Sequence, residues 1–365
     1  MTKAPTVVLA GGGTAGHINP MLAIARALKD LEPSVNIMTV GTEGSMEATM
    51  VPAAGFEISF IPKVPFPRRP TLNALKFPLK FKQSLHVAEK ILTNNSASVV
   101  VGVGGYVCTP MYLAAQKLGL PVVIHEANAK PGLANKVGAK KAAVVATAFP
   151  DTPIKNAQLV GMPMRQNIAE LDRVSEATAA RERLGLDPHL PTLVVTGGSL
   201  GALSLNKTIE EIVDDIAGWG FQVLHITGRD KALRTPQGEI RQAPAYHQIE
   251  FITSMEDVYA AADLLIVRSG AATVSEVAAV GVPAIFVPLP IGNGEQALNA
   301  KSLVDAGGGL LVADADFTVD WFRQHVPALL TDHKKLKDMA STSYQHGIRD
   351  AAAVMALKIL EVAHS

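Results

Sequence analysis

The sequence predicts an α/β protein built from two Rossmann-like domains, each a doubly wound parallel sheet. Strand-like runs rich in Val and Ile alternate with helix-like segments along the 365 residues. Those runs show little polar–apolar alternation, as expected of parallel strands covered on both faces. The opening pattern also returns. "VVLAGGGTAGHINP" at residues 7–20 is an apolar strand, a glycine turn and a helix start, and "TLVVTGGSLGALSLN" repeats it from residue 192. Alternation of this kind places helices on both sides of a sheet.

In the first half, strands are expected at residues 6–10, 35–40, 58–61, 99–103, 122–125 and 143–146. Helices are expected at 20–31, near 45–54 and over 72–93. A Pro/Gly turn, "QLVGMPMRQNI", then leads into a polar helical stretch at 169–186. The second half offers strands at 192–196, 222–226, 249–251, 264–267, 284–287 and 309–312. The domains are therefore drawn as 1–163 and 164–346. The last segment, about 347–365 with its helix at 351–362, is free to pack back on the first.

Composition narrows the function. Lys plus Arg and Asp plus Glu balance at 33 each, so net charge suggests no nucleic-acid partner. Cys108 is the single cysteine, which excludes an internal disulfide and fits a reducing compartment. No secretory leader is visible, and no apolar run reaches the ~20 residues of a spanning helix. A cytosolic protein able to sit on a membrane face is expected.

Glycine turns between a strand and a helix let a ligand approach free helix amides, which favour a phosphate. The first loop fits Gly11-x-Gly13-x-x-Gly16, yet a tight turn with no ligand fits as well. A dinucleotide site also wants an acid near the end of the second strand, and Glu43 is the only candidate there, a few residues late. His17 directly follows the third glycine. At that position imidazole serves a general base, its pKa depressed by the helix N-terminus, or a structural hydrogen-bond partner. Position alone leaves both open.

"RSGAATVSEVAAVGVPAIFVPLPIGNGEQALNA", from residue 268, is the richest stretch. Ser269–Thr273 is a small-residue turn opening a helix, a second phosphate seat. Glu276 follows one turn later, where a carboxylate takes the vicinal hydroxyls of a ribose or is a solvated helix residue. Glu295, Gln296 and Asn299 supply the mixed donors and acceptors that sugar hydroxyls want. Together these favour a nucleotide sugar over a dinucleotide.

"GGGTAGHINP", "GGYV", "HEAN", "GMPMR", "GGSLGA", "RSGAATVSE" and "EQALNA" occur in order from residue 11 to 300. In this series the chain resembles the MurG family, the undecaprenyl-diphospho-muramoylpentapeptide β-N-acetylglucosaminyltransferases of peptidoglycan synthesis. The resemblance implies the GT-B fold, two Rossmann-like domains about a cleft. It implies inverting transfer of GlcNAc from UDP-GlcNAc to the C4 hydroxyl of lipid I, giving lipid II. It places Thr14, Ala15 and Gly16 near the donor sugar, with Asn128 and Gln296 binding it. Arg165 and Ser199 would face the diphosphate, and Ile252 would offer backbone groups to uracil. Ala271, Ala272 and Thr273 would line the nucleotide site, and Glu276 would hold the ribose. His17 is implied as the base, with Glu126 orienting it or standing as a second candidate. Two departures matter. Glu295 stands where Gln is frequent, which leaves its role open, and Ala15 stands where Gly is usual.

No metal or cofactor is required by this scheme, since Arg165 and helix amides neutralise the leaving diphosphate. The one Asp-x-Asp, "DAD" at 314–316, reads as a helix N-cap before "FTVDWF". The polyprenyl acceptor demands membrane contact. The 63–82 stretch is the candidate: it combines Lys63, Arg68, Arg69, Lys76, Lys80 and Lys82 with Phe66, Leu75, Phe77, Leu79 and Phe81. An ordinary amphipathic helix packed on the sheet is the alternative. A peripheral position on the cytoplasmic side follows, and association with other wall-synthesis and division proteins is compatible with it. The rivals are another transferase of this fold acting on a glycolipid, or a non-catalytic nucleotide-binding protein.

Overall fold

The computed structural model describes residues 4–64, 76–198, 201–290 and 294–365. The chain divides into two compact units. One runs to Arg165 and takes in Arg349–Ser365; the other is Gln166–Ile348.

Among the described residues, the first unit holds a parallel sheet of β1 (Thr6–Ala10), β2 (Asn36–Gly41), β3 (Ile58–Phe60), β4 (Val99–Gly102), β5 (Val122–Glu126), β6 (Val144–Thr147) and β7 (Ala157–Leu159). Their spatial order is β3-β2-β1-β4-β5-β6-β7. The helices between them are α1 (Ala15–Leu31), α2 (Glu47–Ala53), α3 (Phe77–Asn94), α4 (Cys108–Lys117) and α5 (Leu133–Gly138).

The second unit follows the same plan with β8 (Thr192–Thr196), β9 (Gln222–Ile226), β10 (Tyr246–Ile249), β11 (Leu264–Val267), β12 (Ala284–Phe286) and β13 (Gly309–Leu311), ordered β10-β9-β8-β11-β12-β13. Its helices are α6 (Gln166–Ala169), α7 (Arg173–Arg183), α8 (Leu203–Ile212), α9 (Met255–Ala261), α10 (Ala271–Val280), α11 (Glu295–Asp305), α12 (Val319–Thr331) and α13 (His333–His346). The chain ends in α14 (Ala351–His364), which packs along α1. From the same helix Lys358 Nζ donates to Gln158 Oε1 of β7 at 2.7 Å.

The Val-rich runs are buried on both faces. Val7, Val8 and Leu9 of β1 and Val99, Val100 and Val101 of β4 are fully inaccessible. Burying each such side chain contributes about 1.5–3 kcal/mol, so the strands tolerate no polar alternation. In each sheet the strand order reverses beside the first strand, between β1 and β4 and between β8 and β11, while all strands stay parallel. At such switch points the loops leaving the strands part and leave a crevice for ligands.

Local differences from the sequence expectation have packing causes. α1 starts at Ala15 rather than Pro20, because Ile18, Met21, Leu22 and Ala25 together bury one face. Pro20 therefore sits inside the helix. The helical stretch at 169–186 is broken, and Asp172 caps α7 by accepting from Val174 N (3.2 Å) and Ser175 N (3.3 Å). The strand expected at 249–251 lies at Tyr246–Ile249 instead. For the long helix of the first half, Phe77–Asn94 is described and the residues before 76 lie outside the described ones.

Candidate active site

β1, β4 and β5 are neighbours, so the loops that leave them stand side by side. Thr14, Ala15, Gly16 and His17 lie together at the start of α1. Thr14 is extended (φ −148°, ψ 156°), and its carbonyl accepts from His17 N (3.0 Å) and Ile18 N (3.1 Å). His17 Nδ1 lies 3.1 Å from Gly12 O and 3.4 Å from Thr14 Oγ1. A carbonyl only accepts, so Nδ1 carries the hydrogen and Nε2 keeps a lone pair. Burial holds the His17 pKa below the usual 6.5, against the pull of the Gly12 bond and the charges of Glu126 and Glu47. The side chain is thus a neutral base at working pH. Gly104 (φ +108°) runs beneath it, where a Cβ would stand 2.9 Å from His17 Nε2.

Glu126 ends β5 and is buried. Its Oε1 accepts from Asn128 N (2.9 Å), and its Oε2 accepts from Gly132 N (2.9 Å) and Asn135 Nδ2 (2.9 Å). Asn135 Oδ1 in turn accepts from the buried Tyr112 hydroxyl at 2.8 Å. Room for that phenol exists because residue 102 is glycine; a Cβ there would collide with it. These bonds make Glu126 the anchor of the loop that carries Asn128, while its charge reaches His17 through space.

Sequence reasoning missed Glu47. It opens α2, is fully buried, and accepts from Gly13 N, Thr42 N and Thr42 Oγ1, each at 3.2 Å. Burial pushes its pKa up, but hydrogen bonds from Ser45, Gly13 and Thr42 outweigh that and leave it below the ordinary 4.5. An internal carboxylate therefore occupies the Gly13 amide. A Cβ on Gly12 would collide with that carboxylate, which explains one glycine of the run. Glu43, the acid the dinucleotide pattern pointed to, is exposed. In sequence, Glu47 shows only as an acid in the first turn of a helix.

In the second unit the loops after β8, β10, β11 and β12 carry the expected nucleotide residues. Ser199 lies outside the described residues. Gly197 and Gly201 flank it in sequence, and a Cβ on either would collide with backbone. Ala271, Ala272 and Thr273 are the first residues of α10, whose first intrahelical bond is Val274 N to Gly270 O at 3.0 Å. Their amides have no partner within the helix, which is the condition for an anion seat. Glu276 is half-buried one turn on, and its Oε2 accepts from the Tyr259 hydroxyl at 2.7 Å. Ile252 follows Phe251, whose ring lies 4.1 Å from the Arg229 guanidinium. Gln296 Oε1 accepts from Leu289 N at 2.9 Å, so its amide group retains NH₂ hydrogens to donate. Arg165, half-buried, is the last residue before the second unit.

The Asp-x-Asp has a structural role that corrects the N-cap expectation. Asp314 Oδ1 pairs with Arg268 Nη1 at 2.5 Å and accepts from Ser204 Oγ at 2.7 Å. Arg268 Nη1 also donates to Val287 O (3.0 Å) and Pro288 O (3.1 Å). This network ties the ends of β11 and β12 to the first turn of α8. The cap of α12 is Thr318, whose hydroxyl accepts from Trp321 N at 3.2 Å.

Comparisons with known proteins show the family and the fold. Residues 7–147 match the glycosyltransferase family 28 N-terminal domain, and residues 192–355 match the glycosyltransferase family 28 C-terminal domain. A UDP-N-acetylglucosamine–N-acetylmuramyl-(pentapeptide) pyrophosphoryl-undecaprenol N-acetylglucosamine transferase of Paenarthrobacter aurescens is 54% identical over 360 residues, 99% of this chain and 97% of that one. The protein of the same name from Streptomyces coelicolor is 47% identical, covering 94% of each chain. The crystal structure of Acinetobacter baumannii MurG superposes with a TM-score of 0.78 at 28% identity, covering 98% of this chain and 99% of that one. With two-domain matches and near full-length relatives on its side, this chain belongs to glycosyltransferase family 28.

Proposed function

We propose that the chain transfers GlcNAc from UDP-GlcNAc to the C4 hydroxyl of undecaprenyl-diphospho-MurNAc-pentapeptide, the step that makes lipid II in peptidoglycan synthesis. The observation that carries this is the 54% identity, across 99% of the chain, with a protein named for that activity. The internal carboxylate at Gly13 supports it further, since it argues against a dinucleotide diphosphate on the first glycine loop.

The α-linked donor becomes a β-linked product by one in-line displacement. His17 Nε2 takes the C4 hydroxyl proton of the acceptor as its oxygen attacks C1 of GlcNAc. The bond from C1 to the UDP oxygen breaks, and UDP leaves with the electron pair. The amides of Ala271, Ala272 and Thr273, with Arg165 and Ser199, take up the charge on the diphosphate. Glu276 binds the ribose, Ile252 the uracil, and Asn128 and Gln296 the GlcNAc. Thr14, Ala15 and Gly16 border the sugar. Glu126 holds the Asn128 loop and sustains the basicity of His17.

The acceptor's polyprenyl tail makes the enzyme a peripheral protein of the cytoplasmic membrane face. No helix among the described residues is long and apolar enough to cross a membrane. In the 63–82 stretch, residues 65–75, with Phe66, Arg68, Arg69 and Leu75, lie outside the described ones. Of the rest, Leu79 is 76% exposed, Lys76, Lys80 and Lys82 are exposed, and the Phe77 and Phe81 rings stack at 5.5 Å. An exposed Leu beside cations and aromatic rings fits an anionic lipid surface.

UDP release from UDP-GlcNAc with a lipid I analogue tests the reaction. Release that depends on the acceptor is expected. Release that is independent of it, or absent altogether, would overturn the proposal.

A further inference from the structure

We propose that Tyr259 is a positioning residue for nucleotide recognition: its buried phenol holds Glu276 in the orientation that takes the ribose diol, and so sets the preference for a ribonucleotide. The inference rests on the ribose role of Glu276 in the preceding proposal and adds what fixes that side chain.

Tyr259 lies on α9 and is 1% exposed, with Val258, Ala260 and Ala261 equally buried around it. A phenol in that position cannot turn to solvent, so its hydroxyl needs an internal partner. The partner is Glu276 Oε2, at 2.7 Å, across to α10. A hydrogen bond to a carboxylate is short and strong because the acceptor is charged. Glu276 itself is only half-buried, on a flexible stem with three rotatable bonds. A free glutamate at that site would sample several rotamers. Two vicinal hydroxyls demand one orientation of the carboxylate plane, and the phenol supplies it by fixing one oxygen.

The bond has a second effect. α9 begins three residues after Ile252, so it follows directly on the loop assigned to uracil. The Tyr259–Glu276 contact ties that loop to the helix that carries the ribose and phosphate groups. This side-chain contact thus helps hold base and sugar recognition to one spacing.

The test measures dissociation constants of UDP and 2′-deoxy-UDP, and kcat and KM for UDP-GlcNAc, in the wild type, Tyr259→Phe and Glu276→Gln. Tyr259→Phe keeps the ring and removes the donor. It is expected to weaken UDP about tenfold or more, the scale of a lost hydrogen bond to a charged group. Binding of 2′-deoxy-UDP should change much less, KM should rise, and kcat should stay within about twofold. Equal weakening of both nucleotides, or no weakening, would overturn the positioning role while leaving the ribose role of Glu276 intact. If Glu276→Gln keeps the full preference for UDP over 2′-deoxy-UDP, the ribose assignment itself falls, and this inference with it. Tyr259→Met, which fills the volume without a donor, repeats the measurement should the Phe variant fold poorly.

Discussion

His17 Nδ1 donates to the carbonyl of Gly12 at 3.1 Å, which fixes the imidazole tautomer and leaves Nε2 as the proton acceptor. His17→Ala should lower kcat by about 10²–10⁴, the span of general base catalysis, with the KM for UDP-GlcNAc little changed. Burial depresses the pKa, so protonation on acidification removes the base. The kcat/KM profile should therefore fall as pH drops through a value below 6.5, and an acid limb centred above 6.5 would contradict the assignment.

Gly104→Ala should cripple the enzyme through the same ring. A methyl at φ +108° is strained and would press on His17 Nε2 from 2.9 Å. We expect a fall in kcat of at least about tenfold, since small misplacements of reacting groups are costly. UDP affinity, measured by calorimetry, should be unchanged because the nucleotide groups lie in the other unit.

The two buried histidines make the fold acid-sensitive. His125 is held down to about 4 and His225 to about 3, in both cases by burial. Unfolded, each takes a proton near 6.5, so between 6.5 and those values the unfolded chain binds more protons. Stability must fall as pH falls through that window, by about 1.4 kcal/mol per pH unit for each group. His225→Gln should make the dependence shallower in urea melts at pH 6 and pH 4.5, by about one proton. An unchanged slope would count against a neutral, buried His225.

Asp314→Ala should act on stability rather than through a lost metal. It would strand the buried Arg268 guanidinium, 10% exposed on its side chain, without its counter-charge. Removing one partner of a buried pair costs about 3–5 kcal/mol. The melting temperature should drop, and added Mn²⁺ or Mg²⁺ should not restore activity. Metal rescue would reverse this reading.

Charge reversal at Arg68, Arg69, Lys80 and Lys82 should abolish sedimentation with anionic vesicles while leaving activity on a short-chain, soluble acceptor. Undiminished vesicle binding would remove the 63–82 stretch from the membrane face.

The fold was legible where local and global preferences coincide. The strands at 222–226 and 264–267 were readable because they are buried on both faces. β7 was not: it is a three-residue edge strand whose Leu159 is 51% exposed, so it leaves no apolar run. The candidate site divides likewise. Glycine turns and the residues beside them lie within a few positions of each other. Glu47 meets Gly13 across 34 residues, and Asp314 meets Arg268 across 46, so nothing local marks either pairing. The Asp-x-Asp was misleading because a surface cap and a buried ion pair look alike in sequence.

The Glu47 carboxylate beneath the first glycine loop bears on inhibitor chemistry. Dinucleotide enzymes share that glycine pattern and welcome phosphate or sulfonate warheads at the corresponding amides. Here the Gly13 amide is already taken by a negative charge from within. An anionic compound aimed at this turn would be repelled, whereas an amine or amidinium would be drawn in. The sign of the warhead alone should then separate this enzyme from dehydrogenases that its opening residues superficially match.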